Sequence, residues 1–169
     1  GTGMVATNSV AQRTGNISAG TSIFSMLVLE KQLSRVYEEI DMVTTPTGKP
    51  VAMVHCNNCC TDLDYWVKLF IEFSSLSGNN LTKGEIYDLL YNEALKGDSD
   101  CGKIVSINYF SGEPVTGFSQ GRPMLLRSEN SNFNLANFMR THIYSAIATL
   151  KIGMEILEEE NVNIDKLMG

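Results

Sequence analysis

GNISAGTS, residues 15–22, is the stretch that decides the fold. Its spacing is that of a phosphate-binding P-loop, G-x-x-x-x-G-K-[ST], in which the lysine holds the terminal phosphates at the start of a helix. Here Thr21 replaces the lysine, and the apolar residues 23–29 that follow are typical of a strand. The stretch therefore predicts a β-hairpin over residues 16–30, with a tip of small residues that offers backbone N–H and hydroxyl donors. On its own, such a tip also fits an ordinary turn.

The composition is that of a globular chain of about one domain. The chain has 169 residues, of which 43% are hydrophobic and 19% are charged, so it has enough apolar surface to bury a core. The net charge of −6 and the lack of a Lys/Arg cluster argue against nucleic-acid binding and against an anionic membrane surface. No apolar run approaches the roughly 20 residues of a membrane span, and no signal peptide is present, so we expect a cytoplasmic protein.

The motif HCNNCC, residues 55–60, carries three of the four cysteines, and we expect all four to be reduced thiols. Zinc needs about four nitrogen or sulfur ligands, and no second ligand pair stands at a suitable spacing. Cys101 and His142 are distant in sequence and isolated. We therefore expect no metal site here and interpret the motif as a strand-to-helix turn with buried thiols. A role for His55 or Asn57 in lining a cleft is the alternative.

Two helices are predicted in the middle of the chain. Thr61 or Asp62 caps the first, which ends near residue 75 and has its apolar side chains on one face. Thr82 caps the second, and Glu85 three residues later completes a capping box. Asp62 and Asp64 resemble an acid/base pair, but helical spacing points them to different faces. We interpret them as a cap and a solvent-exposed carboxylate.

Strands, a long loop and a final helix account for most of the remaining chain. Residues 51–55 are predicted to form a short buried strand, and residues 103–110 another. Residues 111–132 are rich in Gly, Pro, Ser and Asn, and loops of this length are usually functional or mobile. Asn132 or Asn134 begins a long amphipathic helix that reaches about residue 160. The last residues begin a short helix or a strand.

The order of four motifs resembles the C-terminal domain of the FGGY carbohydrate kinases, whose substrates include xylulose and ribulose-like sugars. The family's second phosphate motif resembles ISAGTS (17–22), and its S-G-E-R-x-P segment resembles INYFSGEP (107–114). Its Ala-Arg-Gly stretch corresponds to GRPMLL (121–126), and its long arginine-containing helix resembles FMRTHIYSAIATLKIGMEIL (138–157).

The resemblance implies an α/β fold, the ribonuclease H-like domain of the actin/hexokinase-like ATPases, present in part. It also implies phosphorylation of a sugar or polyol hydroxyl with ATP and Mg²⁺. In such kinases the catalytic base is an aspartate that would precede Gly1, and the glycine-rich adenosine motif would follow the long helix. We therefore expect residues 1–169 to be a fragment of the C-terminal domain that lacks the N-terminal sugar domain and is inactive alone.

The resemblance also assigns roles to individual residues. Gly20 and Thr21 match the family's G-T-S and would face the ATP phosphates, with Ser22 a weaker member of the site. Gly112 matches the glycine of S-G-E, in a loop that would lie against the nucleotide. No catalytic residue and no metal ligand is expected within this chain.

Two departures from the family pattern bear on function. Pro114 stands where the family has an arginine, and Tyr144 and Ser145 lie near the family's Glu-Gly positions. The first hypothesis is a carbohydrate kinase. The alternative is a non-catalytic member of the superfamily that binds ATP and acts as a regulator or scaffold, and an unrelated α/β domain is a third option. The oligomeric state, including a homodimer, stays open.

Overall fold

The computed structural model describes residues 2–169, which form seven strands and four α-helices. The strands are β1 (Thr14–Ala19), β2 (Ile23–Val28), β3 (Asp41–Thr44), β4 (Pro50–Cys56), β5 (Val105–Ile107), β6 (Met124–Leu126) and β7 (Lys166–Met168). The helices are α1 (Thr2–Ala6), α2 (Thr61–Leu76), α3 (Lys83–Ala94) and α4 (Leu135–Glu159).

A five-stranded sheet in the order β3-β4-β2-β1-β7 forms the centre of the fold. The first four strands of that order are antiparallel neighbours, and β7 runs parallel to β1. The predicted hairpin is confirmed: Ala19 pairs with Ile23, which leaves residues 20–22 as the hairpin tip. The strand predicted at residues 51–55 is β4, which lies between β2 and β3.

Helix α4 connects two apolar clusters. Its second half packs on the sheet, where Leu150 and Leu157 join a core that includes Leu27 of β2. Contact with β4 is so close that a Cβ atom on Gly153 would lie 2.3 Å from a methyl carbon of Val54. The first half of α4 packs with α2 and α3 around the fully buried Met139. The long helix therefore fixes the pair α2–α3 relative to the sheet.

Helix capping follows the sequence prediction in two of three cases. The capping box of Thr82 and Glu85 is present, and the Asn134 side chain caps α4 by accepting the N–H of Asn137 at 2.9 Å. The prediction for α2 is wrong, because Cys60 is the N-cap residue and makes no side-chain capping bond. Backbone bonds between residues 59–60 and the hairpin tip start this helix one residue earlier than the polar side chains suggest.

The strand predicted over residues 103–110 is mostly wrong. Within residues 103–110 only β5 pairs as a strand, and its partner is β6 in a separate two-stranded sheet. The chain leaves the strand at Asn108, whose side chain donates to the Cys59 carbonyl at 3.0 Å, so tertiary bonds replace ladder bonds. The exposed edge strand β3 is not predicted by the sequence, and the chain ends in the strand β7.

Glu160, the residue after α4, holds the connection between β2 and β3. Its carboxylate accepts the N–H of Ser34 at 2.9 Å and the hydroxyls of Ser34 and Tyr37. These hydrogen bonds, that of the Ser34 hydroxyl first, lower the pKa of Glu160 from 4.5 to about 2. The carboxylate therefore joins two distant parts of the chain in its charged form.

This pKa shift predicts a pH dependence of stability. The contribution of Glu160 is complete above about pH 4.5 and is lost as the pH falls towards about 2, because the folded chain binds its proton less readily than the unfolded chain. Glu160→Gln should lower the free energy of unfolding near neutral pH. The gap in free energy between the variant and wild type should shrink as the pH falls, because the wild-type carboxylate becomes protonated. Urea unfolding measured across this range tests it, with the exposed neighbour Glu159→Gln as control. Parallel pH profiles for wild type and Glu160→Gln would contradict the prediction.

Candidate functional site

Hydrogen bonds to its carbonyl groups hold the hairpin tip against residues 59–60. The carbonyls of Gly20 and Thr21 accept the N–H groups of Cys60 and Cys59, each at 3.1 Å. The N–H of Gly20 donates to the Ser22 carbonyl at 2.8 Å. The N–H groups and hydroxyls of Thr21 and Ser22 have no protein acceptor within residues 2–169, and Thr21 is exposed. The tip therefore presents these groups as donors without a protein partner.

Asn58 holds the SGEP loop, residues 111–114, against the end of β4. Its side-chain oxygen accepts the N–H groups of Phe110 at 2.8 Å and Ser111 at 2.9 Å. Its amide nitrogen donates to a carboxylate oxygen of Glu113 at 3.0 Å. The Asn58 side chain is buried, so these bonds satisfy an amide group that has lost its contact with water.

Glu113 is a carboxylate with no exposed surface. Besides the Asn58 side chain, it accepts the backbone N–H of Asn58 at 3.2 Å and that of Asn57 at 3.3 Å. The Asn57 side chain donates to the Gly112 carbonyl at 2.9 Å, next to the carboxylate in sequence. A buried carboxylate is tolerated only when hydrogen bonds replace its hydration, and residues 57–58 supply them.

Gly112 lies where the chain folds back on itself. A Cβ atom there would lie 2.7 Å from the Ser119 carbonyl oxygen and 2.9 Å from that of Phe118. Glu113 and Phe118 form an antiparallel bridge, which brings the two segments together. This close backbone contact requires glycine at position 112, in addition to any contact with a ligand.

Residues 57–60, the 57–60 connector, therefore hold both parts of the site. Asn57 and Asn58 bind the SGEP loop, while Cys59 and Cys60 bind the hairpin tip. The predicted residues Gly20, Thr21, Ser22 and Gly112 thus lie on two segments joined through one short stretch. The sequence prediction does not include Asn58, Asn108 or Glu113, although the adjacent asparagines of HCNNCC were a visible signal.

Asp62 and His142 form a buried contact that the sequence prediction does not contain. Asp62 neither caps α2 nor faces solvent, since its carboxylate lies 3.4 Å from Nδ1 of His142. The Ser106 hydroxyl lies 3.2 Å from the same nitrogen. The other ring nitrogen, Nε2, has no partner among the described residues, and the ring packs on Trp66 and Phe138. A catalytic triad places its serine and acid on opposite nitrogens, so this cluster is structural.

Asp64 belongs to a surface network instead. It accepts a hydrogen bond from the Tyr87 hydroxyl and pairs with Lys83 at 2.9 Å, and these bonds, that of Tyr87 first, lower its pKa. The prediction that Asp62 and Asp64 do not act together is consistent with this separation.

Within residues 2–169, no three His, Cys, Asp or Glu side chains converge as metal ligands, and no helix has the length and apolar character needed to cross a bilayer.

Comparison with known sequence families decides the classification. The model of the C-terminal domain of the FGGY family of carbohydrate kinases matches residues 15–169. The chain belongs to the FGGY family. This result confirms the family expected from the four motifs. A comparison with curated proteins gave no match.

Solved structures of three kinases of sugars and related compounds share the fold of this domain. Xylulose kinase from Bifidobacterium adolescentis superposes with a TM-score of 0.70 at 17% identity, over 94% of this chain and 29% of that chain. Glycerol kinase from Plasmodium falciparum, solved with ADP, has a TM-score of 0.72 at 8% identity, over 98% and 32% of the two chains. Gluconate kinase from Lactobacillus acidophilus has a TM-score of 0.67 at 12% identity, over 98% and 32%. The chain therefore spans about a third of the length of these kinases, and its fold is that of their actin-like ATPase domain.

The bonds of Asn58 predict a large cost for its removal. Asn58→Ala would leave the N–H groups of Phe110 and Ser111 without their acceptor and the buried Glu113 carboxylate with an incomplete set of donors. We expect a loss of about 3 kcal/mol in the free energy of unfolding. The exposed Asn163 is the control, since Asn163→Ala should change stability by less than about 0.5 kcal/mol. Urea unfolding of both variants measures the difference, and equal small losses would show that Asn58 does not hold the loop.

Proposed function

We propose that this FGGY domain is the phosphate-binding part of an ATP-dependent carbohydrate kinase that phosphorylates a sugar or polyol hydroxyl. The observation that carries the proposal is the hairpin tip, whose free donors at Thr21 and Ser22 are held beside the SGEP loop by the 57–60 connector. Family membership supports the reaction class. The solved glycerol kinase with ADP supports a nucleotide as the ligand of this fold.

The tip is suited to bind a nucleotide phosphate. The N–H and hydroxyl groups of Thr21 and Ser22 are donors without protein acceptors, and they match the acceptor oxygens of a phosphate. Phosphoryl transfer depends mainly on positioning and on stabilising charge, and preorganised donors supply both. Gly20 contributes its place in the turn, since its own N–H donates to Ser22. Gly112 would place the main chain of the SGEP loop against the nucleotide.

The remaining charge must be balanced from outside the tip. Residues 20–22 contain no lysine or arginine, and Pro114 stands where the family resemblance leads us to expect an arginine. Mg²⁺ bound to ATP would supply positive charge at the phosphates. We propose that the catalytic aspartate and the sugar-binding N-terminal domain lie in other parts of a longer protein, with residues 1–169 as a fragment of its C-terminal domain.

The substrate proposal is a ketopentose such as xylulose or ribulose, or a related polyol. Several xylulose kinases are among the structures similar to this chain, which supports testing these sugars first. Kinases of glycerol and gluconate have comparable TM-scores, so the fold does not rank the substrates.

The proposal is tested by ADP release from the complete protein with MgATP and a panel of ketoses, aldoses and polyols. We expect turnover with one sugar class and none from residues 1–169 alone, because the expected base lies outside them. ATP binding without turnover on any member of the panel would instead favour a non-catalytic regulator or scaffold. Sugar-dependent turnover by the 169-residue chain would show that the base lies within it.

Thr21→Val removes the hydroxyl at the tip and keeps the size of the side chain. In the complete kinase we expect the Michaelis constant for ATP to rise roughly tenfold, because a hydrogen bond to a charged phosphate is lost. The Michaelis constant for the sugar should change little. Thr44→Val is the matched control, since Thr44 is exposed and pairs with Pro50 at the opposite end of β4. An unchanged constant for ATP would exclude the Thr21 hydroxyl from the site.

A further inference from the structure

Cys59 and Cys60 are adjacent thiols that lie directly beside the hairpin tip. Their sulfur atoms are 3.5 Å apart, and neither is in a disulfide. Cys59 is buried, whereas Cys60 is partly accessible to solvent. The proposed function uses only the backbone N–H groups of these two residues, so it does not explain why both carry thiols.

The two thiols differ in acidity in a way that makes one of them reactive. The pKa of Cys60 is lowered to about 7, mainly by the hydrogen bond from the Cys59 thiol, and the pKa of Cys59 is raised by that same bond. Cys60 is also the N-cap of the 16-residue helix α2, where the helix dipole favours an anionic sulfur. Near neutral pH, Cys60 is therefore a partly ionised nucleophile, and Cys59 keeps its proton.

The other cysteines lack these features. Cys56 is fully buried, and burial together with the nearby Glu113 raises its pKa to about 12. Cys101 is buried in the turn before β5. An oxidant should therefore react first with Cys60.

We propose that Cys59 and Cys60 form a peroxide-sensitive modification site whose oxidation to a disulfide releases the hairpin tip. The effect on nucleotide binding rests on the proposed function, whereas the oxidation and the structural change do not.

The chemistry needs only hydrogen peroxide as oxidant. The Cys60 thiolate attacks one peroxide oxygen, the O–O bond breaks, and Cys60 becomes a sulfenic acid while hydroxide leaves. Cys59 then gives its proton to hydroxide and attacks the Cys60 sulfur. The S–S bond forms as the S–O bond breaks, and the hydroxide that leaves takes up the proton that the Cys60 thiol released on ionising, which gives the second water. In sum, two thiols and one peroxide give one disulfide and two waters.

The disulfide would strain the backbone that holds the tip. Ordinary disulfides join Cα atoms about 4.4–6.8 Å apart. The Cα atoms of neighbouring residues stay about 3.8 Å apart across a trans peptide, below this range, so a disulfide between Cys59 and Cys60 would twist the peptide that joins them and the torsions on either side of it. The N–H groups of these residues hold the carbonyls of Thr21 and Gly20, and this distortion would break one or both bonds. A strained disulfide is also easily reduced by cellular thiols, which makes the change reversible.

The test treats the 169-residue chain with hydrogen peroxide and then counts free thiols and maps its peptides by mass spectrometry. We expect two of the four thiols to be lost, with both oxidised residues in the peptide that contains Cys59 and Cys60. Dithiothreitol should restore them. Cys59→Ser should stop at a sulfenic acid on Cys60 that dimedone labels, whereas Cys101→Ser should form the disulfide as wild type does.

Hydrogen exchange then tests the structural consequence. We expect the amides of Cys59 and Cys60 to exchange about fivefold faster or more in the oxidised chain, because their hydrogen bonds are broken. Loss of other thiols first, or a disulfide with unchanged amide exchange, would overturn the proposal. ADP binding to the reduced and oxidised forms of the complete protein, which would include the expected adenosine motif, separates the two ideas. A disulfide with faster exchange supports the modification site even where ADP binds neither form, and that last result counts against the proposed function.

Discussion

The buried carboxylate of Glu113 is the constraint on which the arrangement of the site depends. It has no contact with water, and its oxygens accept the backbone N–H groups of Asn57 and Asn58 together with the Asn58 side chain. Because an unpaired buried charge would cost several kcal/mol, these donors must stay in place whenever the chain is folded. The carboxylate thus fixes the 57–60 connector, and the connector in turn holds the hairpin tip through Cys59 and Cys60.

The anion contact proposed for the hairpin tip differs from that of a P-loop. A P-loop directs its N–H groups at phosphate from the start of a helix and adds a lysine. Here the carbonyls of Gly20 and Thr21 are bonded to the connector, which leaves the N–H groups of Thr21 and Ser22 without protein acceptors. Two carbonyl groups of the tip are thus already bonded and are not available as acceptors for these N–H groups. The tip is therefore a different backbone scaffold from a P-loop and not a P-loop that lacks its lysine.

The features predicted from the sequence are those that local rules determine. The hairpin depends on strand residues around a small turn, and the helix ends at Thr82 and Asn134 depend on capping within three residues. The wrong predictions involve residues whose partners are distant in sequence. The end of β5 is set by bonds from residues 58 and 59, and Asp62 is drawn into the core by His142 on another helix. No local pattern identifies such partners, so most of the site's geometry becomes visible only in the folded chain.

The departure at Pro114 has a physical consequence for the same carboxylate. Proline restricts the residue before it to extended conformations, and Glu113 has φ −129° and ψ 102°. Pro114 also begins a 3₁₀ turn, where its missing N–H costs no hydrogen bond. The proline therefore favours the backbone that directs Glu113 into the interior. An arginine at this position would offer a positive charge near the phosphates but less restriction of Glu113. Pro114 thus favours a rigid SGEP loop and supplies no cation, so the proposed reaction would take its positive charge from Mg²⁺ and from residues outside this loop.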